Sequence, residues 1–451
     1  MTMEKTNEFL TRDGLHVFHS LHDQSVVREG KVWVRGEGHY LFDADGGKCI
    51  DGLSGLWNVI LGHCRPELAS AASRQLSELD YCSGYSGSTN PRAIELAERI
   101  AALTYESINR FFFTSGGGES TDTTIKIARY YWKMLGQQSK TKTICLQNAY
   151  HGTTLGAMAA TGMPKYWTAF EPRFPGFVHI PNHDAYRYEV PEGADLGTVA
   201  ADELETAILR EGPENVAMFL VESIPGGGVN VPPDGYFTRI REICDQYDVL
   251  LAVDEVISGF GRTGEMFALR HWGVEPDIIQ FAKGVSNGAV PLGGVGVSDD
   301  IAEVIETRSR GADMWMHCFT YSGHPVACAV GLATIEVIEN ERLVDNAREM
   351  GIRMRDLLSA NIGQNPHLGD IRGLGLFSGL ELVEDRETKQ PFDQGKQIGP
   401  RIVGACLKRG LYIRGRGDVL YLGPPLTADP DLIDLMVEKV CDATLEILSE
   451  P

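Results

Sequence analysis

The chain has 451 residues and carries 41 Lys and Arg against 62 Asp and Glu, a formal net charge of −21. That length gives room for two domains with ample core, and so acidic a surface excludes nucleic acid and anionic membranes as principal partners, since both need a basic face. The cysteines, at 49, 64, 82, 145, 244, 318, 328, 406 and 441, show no CxxC spacing, the N-terminus has no apolar signal region, and no apolar run nears the roughly 20 residues of a membrane span, so a reduced, cytoplasmic protein is expected.

Residues 1–30 are polar and mixed and read as a helix or arm lying on other structure. Residues 31–51 (KVWVRGEGHYLFDADGGKCID) alternate in polarity and carry GEG and DADGG turns, which predicts an antiparallel hairpin or meander. A loop bearing Gly, Leu and Trp follows at 52–61, then an amphipathic helix at 91–103 with proline near its start. From residue 110 the pattern alternates. Apolar strands fall at 110–114, 142–145, 217–221, 249–253 and 277–282, with helices at 119–135 and 236–247. Such alternation predicts an α/β domain whose central sheet is mostly parallel and covered by helices on both faces. Beyond residue 330 the character changes. Long helices at 325–339 and 341–358, strands within 370–383 and 411–422, and helices at 397–408 and 429–448 read as a smaller α+β domain. The expected division is a large domain over 61–328 and a small one over 329–451, which the N-terminal segment 1–60 joins.

Two of the strands end in charge: 249–253 runs into Asp254-Glu255, and 277–282 into Lys283. A carboxylate and an ammonium at buried strand ends are costly unless each meets something. An electrophilic, cationic heterocycle would satisfy both, since the lysine amine can form an imine with its aldehyde while the carboxylate keeps its ring nitrogen protonated. Pyridoxal phosphate (PLP) has that chemistry and serves enzymes as an electron sink. Taken alone, the pair also reads as a surface lysine and a turn aspartate. What favours a site is that Ser115–Gly118, Glu222, Asp254 and Lys283 all follow strand ends, where ligands collect in open α/β sheets.

The remaining motifs each carry two readings. In FFFTSGGGESTDTTIKIARYYW, glycines between a strand and a helix let the backbone approach an anion at the helix N-terminus, or form an ordinary turn. Neither GxGxxG nor GxxxxGK[ST] is present, so the dinucleotide and P-loop fingerprints are missing. Tyr150, in AYHG, could stack on a cofactor ring or cap the core. Glu222, before PGGG, is a site carboxylate or a solvated one. Thr320 precedes a helix and suits capping or phosphate equally. Arg414 and Arg416, in RGRGD, could clamp a carboxylate or lie on the surface.

Taken together, LWNVILGH, SGGGESTDTTIKIAR, AYHG, VESIPGGG, VDEVISGFGRTG, FAKG, TYSGHPVA and RGRGDVLYLGPPL resemble, in order and spacing, the class III (ω-) aminotransferases, a subgroup of the fold-type I PLP enzymes. The resemblance implies that Lys283 is the Schiff-base lysine and proton shuttle, and that Asp254 pairs with the pyridine nitrogen. Tyr150 and Val256 would take the two ring faces, Glu222 would orient groups near Asp254, and Gly117 and Gly118 would hold the phosphate. Thr320 would reach the phosphate of the neighbouring subunit, making a homodimer, or a dimer of dimers, with the site at the subunit interface. Trp57 and Tyr85 would line the substrate pocket, and Arg414 would be a mobile carboxylate-binding arginine. The implied reaction is ping-pong transfer from an ω-amino acid, diamine or other primary amine to a keto acid, pyruvate. A PLP-dependent racemase, epimerase or aminomutase would use the same constellation. A catalytically silent PLP-fold protein would not need to retain both Asp254 and Lys283. One departure stands out: the family usually has SGSE where this chain has GGGE, so Gly118 replaces a serine and a hydroxyl donor to the phosphate is lost.

Overall fold

After an N-terminal helix α1 (Met3–His16), the chain forms the expected meander β1 (Trp33–Glu37), β2 (Tyr40–Asp43) and β3 (Lys48–Asp51), antiparallel throughout. The computed structural model describes residues 3–21 and 30–449, so the rest of the segment read as a helix or arm lies outside the described residues. The DADGG turn is held by Asp43, whose Oδ1 accepts the amides of Asp45 and Gly47. The stretch 52–61, expected to be a loop, holds a tight four-residue turn, α2 (Ser54–Trp57), whose backbone is not helical, with positive φ at Ser54, Gly55 and Trp57, and α3 (Pro66–Glu78) and α4 (Pro91–Leu103) follow, each with proline in its first turn.

The central unit comprises β4 (Ile108–Thr114), α5 (Gly117–Met134), β5 (Lys142–Leu146), α6 (Leu155–Ala160), β6 (Phe177–Ile180), α7 (Leu196–Glu211), β7 (Val216–Glu222), α8 (Tyr236–Gln246), β8 (Leu250–Asp254), β9 (Ile278–Phe281), β10 (Gly293–Ser298) and α9 (Asp299–Arg308). Its strands form one sheet in the order β4-β10-β9-β8-β7-β5-β6. All pairs are parallel except those of β10, which runs antiparallel to β4 and to β9. Every residue of β7, β8 and β9 is buried. Alternation splits β7 between two cores. Phe219 and Val221 pack with α7 and α8, while Met218 and Leu220 face Ile125, Ala128 and Trp132 of α5 and Ile301 of α9. Strands covered on both faces explain the continuous apolar runs in the sequence.

The remainder is α10 (Pro325–Asn340), α11 (Leu343–Ile362), β11 (Leu368–Leu374), β12 (Phe377–Leu382), α12 (Ile398–Lys408), β13 (Leu411–Tyr412), β14 (Arg414–Arg416), β15 (Val419–Leu422) and α13 (Pro430–Leu448). A second sheet has the order β11-β12-β15-β14, and β13 leaves it to pair in parallel with β3 of the N-terminal meander. No helix among the described residues is long and apolar enough to cross a membrane.

Candidate active site

Register brings three polar side chains into a row at the carboxyl ends of β7, β8 and β9: Glu222 pairs with Asp254, and Asp254 with Gln280. Asp254 is 5% exposed and Glu222 4%, so both carboxylates need donors. Asp254 Oδ2 accepts from Gln280 Nε2 at 2.7 Å and from His151 Nδ1 at 2.8 Å, and its Oδ1 accepts the Val256 amide at 2.9 Å. An ionised carboxylate only accepts, so His151 donates to it from Nδ1. Thr121 completes the network, accepting from Gln280 Nε2 at 2.8 Å and donating to the His151 carbonyl at 2.7 Å. Glu222 bridges two loops, accepting the amides of Tyr150 at 2.8 Å and Gly226 at 2.9 Å. Burial and the neighbouring Asp254 push its carboxyl up to about 7, against the pull of His151. The adjacent acid, Glu255, plays no part here. It accepts from Tyr105, Ser258 and the amides of Ala268 and Leu269 in the buried interior.

Lys283 lies two residues beyond the end of β9 in the left-handed region, at φ +48°, which is strained for a side chain of this kind and is found where a structure over-determines one residue's direction. Its ammonium is stripped of water, which lowers its pKa below that of free lysine, while Asp254 and Glu222 pull the other way. Gly117 and Gly118 open α5, where first-turn amides have no intrahelical acceptor. A Cβ on Gly117 would lie 3.2 Å from Val256 Cγ1, and one on Gly118 would lie 3.3 Å from Thr154 Cγ2. Tyr150 is half-buried, with its ring edge-on to Tyr166 at 5.4 Å.

Trp57 is buried at φ +58° and packs on Phe377 at 5.8 Å and Tyr421 at 5.7 Å. Its loop is pinned by Arg262, which is fully buried and donates to the carbonyls of Leu376 (2.9 Å) and Pro424 (2.6 Å) and to Ser54 Oγ (3.1 Å). Arg414 lies directly opposite Tyr421 on β15, is exposed, has no hydrogen-bonding or ionic partner among the described residues, and its charge is felt by the Tyr150 phenol. Two expected site residues lie apart from this cluster. Tyr85 is 53% exposed beside Cys318, and Thr320 is exposed, its carbonyl accepting from Tyr81 at 3.1 Å. No hydrogen bond or ring contact joins either to Asp254 or Lys283 among the described residues. Asp254, Glu222, Lys283, Tyr150, Val256, Gly117 and Gly118 thus converge around one end of the sheet, and Trp57 and Arg414 flank it. Sequence reasoning missed His151 and Gln280. The signal for Gln280 was a polar residue inside the apolar run DIIQFA; His151 lay within the AYHG motif itself.

The donor set fits PLP. The buried polar atoms His151 Nε2 and Gln280 Oε1 lack hydrogen-bond partners, an amine of lowered basicity sits beside a carboxylate, and side-chain-free glycines open an 18-residue helix whose N-terminus favours phosphate.

The family model described as aminotransferase class-III matches residues 24–444. The putrescine–pyruvate aminotransferase of Pseudomonas aeruginosa is 38% identical over 447 residues, covering 97% of this chain and 96% of the relative. Among solved structures, a thermostable (S)-enantioselective omega-transaminase from Thermomicrobium roseum superposes with a TM-score of 0.94 at 43% identity, covering 98% of this chain and 99% of the other. An omega transaminase from Pseudomonas jessenii in complex with PMP gives a TM-score of 0.94 at 34% identity over 97% and 98%.

Proposed function

The chain belongs to the class III aminotransferases, which use PLP, and on that premise we propose that it takes the amino group of a diamine, ω-amino acid or other terminal primary amine and passes it to pyruvate in a ping-pong cycle. Bound PLP supplies the electron sink that acidifies the carbon next to the donor nitrogen. Lys283 Nζ would hold the cofactor between turnovers; once displaced by the donor, it would take a proton from that carbon and deliver it to C4′ of the cofactor, a task its lowered basicity suits. Asp254, held by His151, Gln280 and the Val256 amide, would keep the ring nitrogen protonated. Tyr150 and Val256 would take the ring faces, Glu222 fixes the loop bearing Tyr150, and the α5 amides at Gly117 and Gly118 would hold the phosphate.

The observation that carries the substrate reading is an arginine without a partner at the edge of an aromatic wall. Trp57 and Tyr421, backed by the fully buried Phe377, would border a carbon chain or ring, and Arg414 stands free to bind a carboxylate or turn away from an uncharged group. The relative that acts on putrescine and pyruvate supports the same pairing of substrates. Tyr85 and Thr320 serve the site of a second copy, so the working unit is a homodimer, alone or paired as a dimer of dimers. Exposed Met314, Met316 and Tyr321 around Thr320 support this. We divide the chain into a cofactor domain over 61–328 and a small domain over 329–451 completed by residues 1–60, on the pairing of β13 with β3. Nine free cysteines favour the cytoplasm.

The test is spectroscopic. The visible absorbance of the purified holoenzyme is recorded, then a panel of ω-amines is added without any keto acid. Each productive donor is expected to bleach it, pyruvate to restore it, and Lys283→Ala to abolish turnover without loss of fold. A colour that no amine alters, or a Lys283→Ala variant with near-normal turnover, would overturn the assignment.

A further inference from the structure

Strand β14 is three residues long, Arg414-Gly415-Arg416, so its two arginines project from the same face. They are used differently. Arg414 has no hydrogen-bonding or ionic partner among the described residues. Arg416, two residues on, donates from Nη2 to Asn148 Oδ1 at 3.0 Å and from Nη1 to the Gly227 carbonyl at 3.4 Å. Both acceptors are neutral, so its charge does not neutralise a carboxylate there. They belong to two separate loops of the large domain: Asn148 lies two residues before Tyr150, and Gly227 lies in the glycine loop after β7. The same two loops are already joined on their buried side by Glu222, through the amides of Tyr150 and Gly226. Asn148 holds a left-handed turn at φ +62°, fixed by its own amide bonding the Gly162 carbonyl at 2.8 Å. Gly227 is crowded as well: a Cβ there would lie 2.3 Å from the Asn148 carbonyl and 3.0 Å from Arg416 Nη1. The neighbouring strand adds Tyr421, whose hydroxyl donates to the Gly227 carbonyl at 2.8 Å, and Arg416 reaches past it to the Tyr150 loop.

We propose that Arg416 is a positioning residue: it latches β14 to the loop carrying Tyr150, so that Arg414 meets a substrate carboxylate from a fixed base at a fixed distance from the cofactor ring. This rests on the reading of Arg414 given above. As an edge strand, β14 is paired on one side only, to β15, and the latch adds a tie to the loops of the large domain. The consequence is selective. Amines without a carboxylate do not use Arg414, so loosening its base weakens carboxylate substrates most.

The experiment is a double-mutant cycle of Arg416→Ala and Asn148→Ala in the holoenzyme, with Arg416→Lys and Arg414→Ala alongside. Readouts are KM and kcat for pyruvate, for an ω-amino acid and for a simple monoamine, and the equilibrium binding of propionate, which cannot react. Each single variant is expected to raise KM for the two carboxylates about fivefold to tenfold relative to the monoamine, and to weaken propionate to match. The double variant is expected to match the singles, because both remove one interaction, and Arg416→Lys to recover part of the loss. Additive effects, or a silent Asn148→Ala, would overturn the latch and make Arg416 a direct carboxylate ligand. An equal loss for all three substrates would overturn it as well and leave a general packing role. Arg414→Ala separates the two readings: if it leaves the carboxylate-to-amine ratio unmoved, the clamp itself fails, whatever Arg416 does.

Discussion

Glu222 is the residue at which burial, charge and chemistry oppose one another most directly. It is 4% exposed, next to Asp254 in register, and raised to about 7, whereas in an unfolded chain it would titrate near 4.5. Between those values the folded protein keeps a proton that the unfolded chain gives up. Stability is therefore full below the unfolded pKa and falls as pH rises through the folded one, by up to about 3 kcal/mol. The expected result for cofactor-stripped protein is lower stability at pH 7.5 than at pH 5 in chemical unfolding, with the slope flattened by Glu222→Gln, a mimic of the protonated acid. An identical slope in both proteins would refute the assignment. Lys283 and Asp254 were legible in the sequence because each is a charge at the end of an apolar strand. His151 and Gln280 were not, because what makes them matter is tertiary: the pairing of β8 with β9 sets Gln280 beside Asp254, and the loop after β5 carries His151 to the same carboxylate. Arg262 was hidden for a similar reason: its acceptors lie at residues 54, 376 and 424.

At the scale of elements, the strands and helices that carry the site residues were read from the sequence, whereas α3, α7 and α9 were not, even though Asp195 caps α7 by accepting the Thr198 amide. Helix α4 was legible from its amphipathic period and starting proline. The structure adds that Asn90, 5% exposed, caps it by accepting the Ala93 amide at 3.0 Å, and also donates to the Gly323 carbonyl at 2.9 Å, tying the helix to the loop after Thr320. Asn90→Ala should cost about 1–2 kcal/mol in chemical unfolding, and Asn90→Asp less, since it keeps the cap and loses only the tether. Equal stability of all three proteins would show that the cap contributes nothing. Strand β10, GGVGVS, was not assigned from the sequence, because three glycines in six residues hide a strand pattern. They are needed because a Cβ on Gly294 would lie 2.5 Å from the Phe281 ring and one on Gly296 2.6 Å from that of Phe111. The same strand reverses the direction of the sheet locally, which no local pattern announces.

For the whole molecule, the open question is whether one chain makes one site. Lys283, Asp254 and Glu222 are gathered within a single chain, whereas Thr320 and Tyr85 face outward on a surface that also exposes Met316 and Tyr321. If Thr320 serves the partner's phosphate, catalytic groups must complement across a dimer. Two variants test this: Lys283→Ala, which removes the lysine, and Thr320→Glu, which sets a carboxylate against the phosphate. Each homodimer is expected to be inactive or nearly so. In a heterodimer, the site holding the intact Lys283 receives the intact Thr320 of its partner, so one of the two sites is wholly native. Random mixing of equal amounts should then restore about a quarter of native activity, since half the dimers are mixed and each has one good site. If Thr320 acted within its own chain, every site in the mixture would lack either the lysine or the threonine, and mixing would restore nothing. Recovery that rises with co-refolding and is absent when preformed homodimers are merely combined would tie the gain to subunit exchange, and with it the site to the interface.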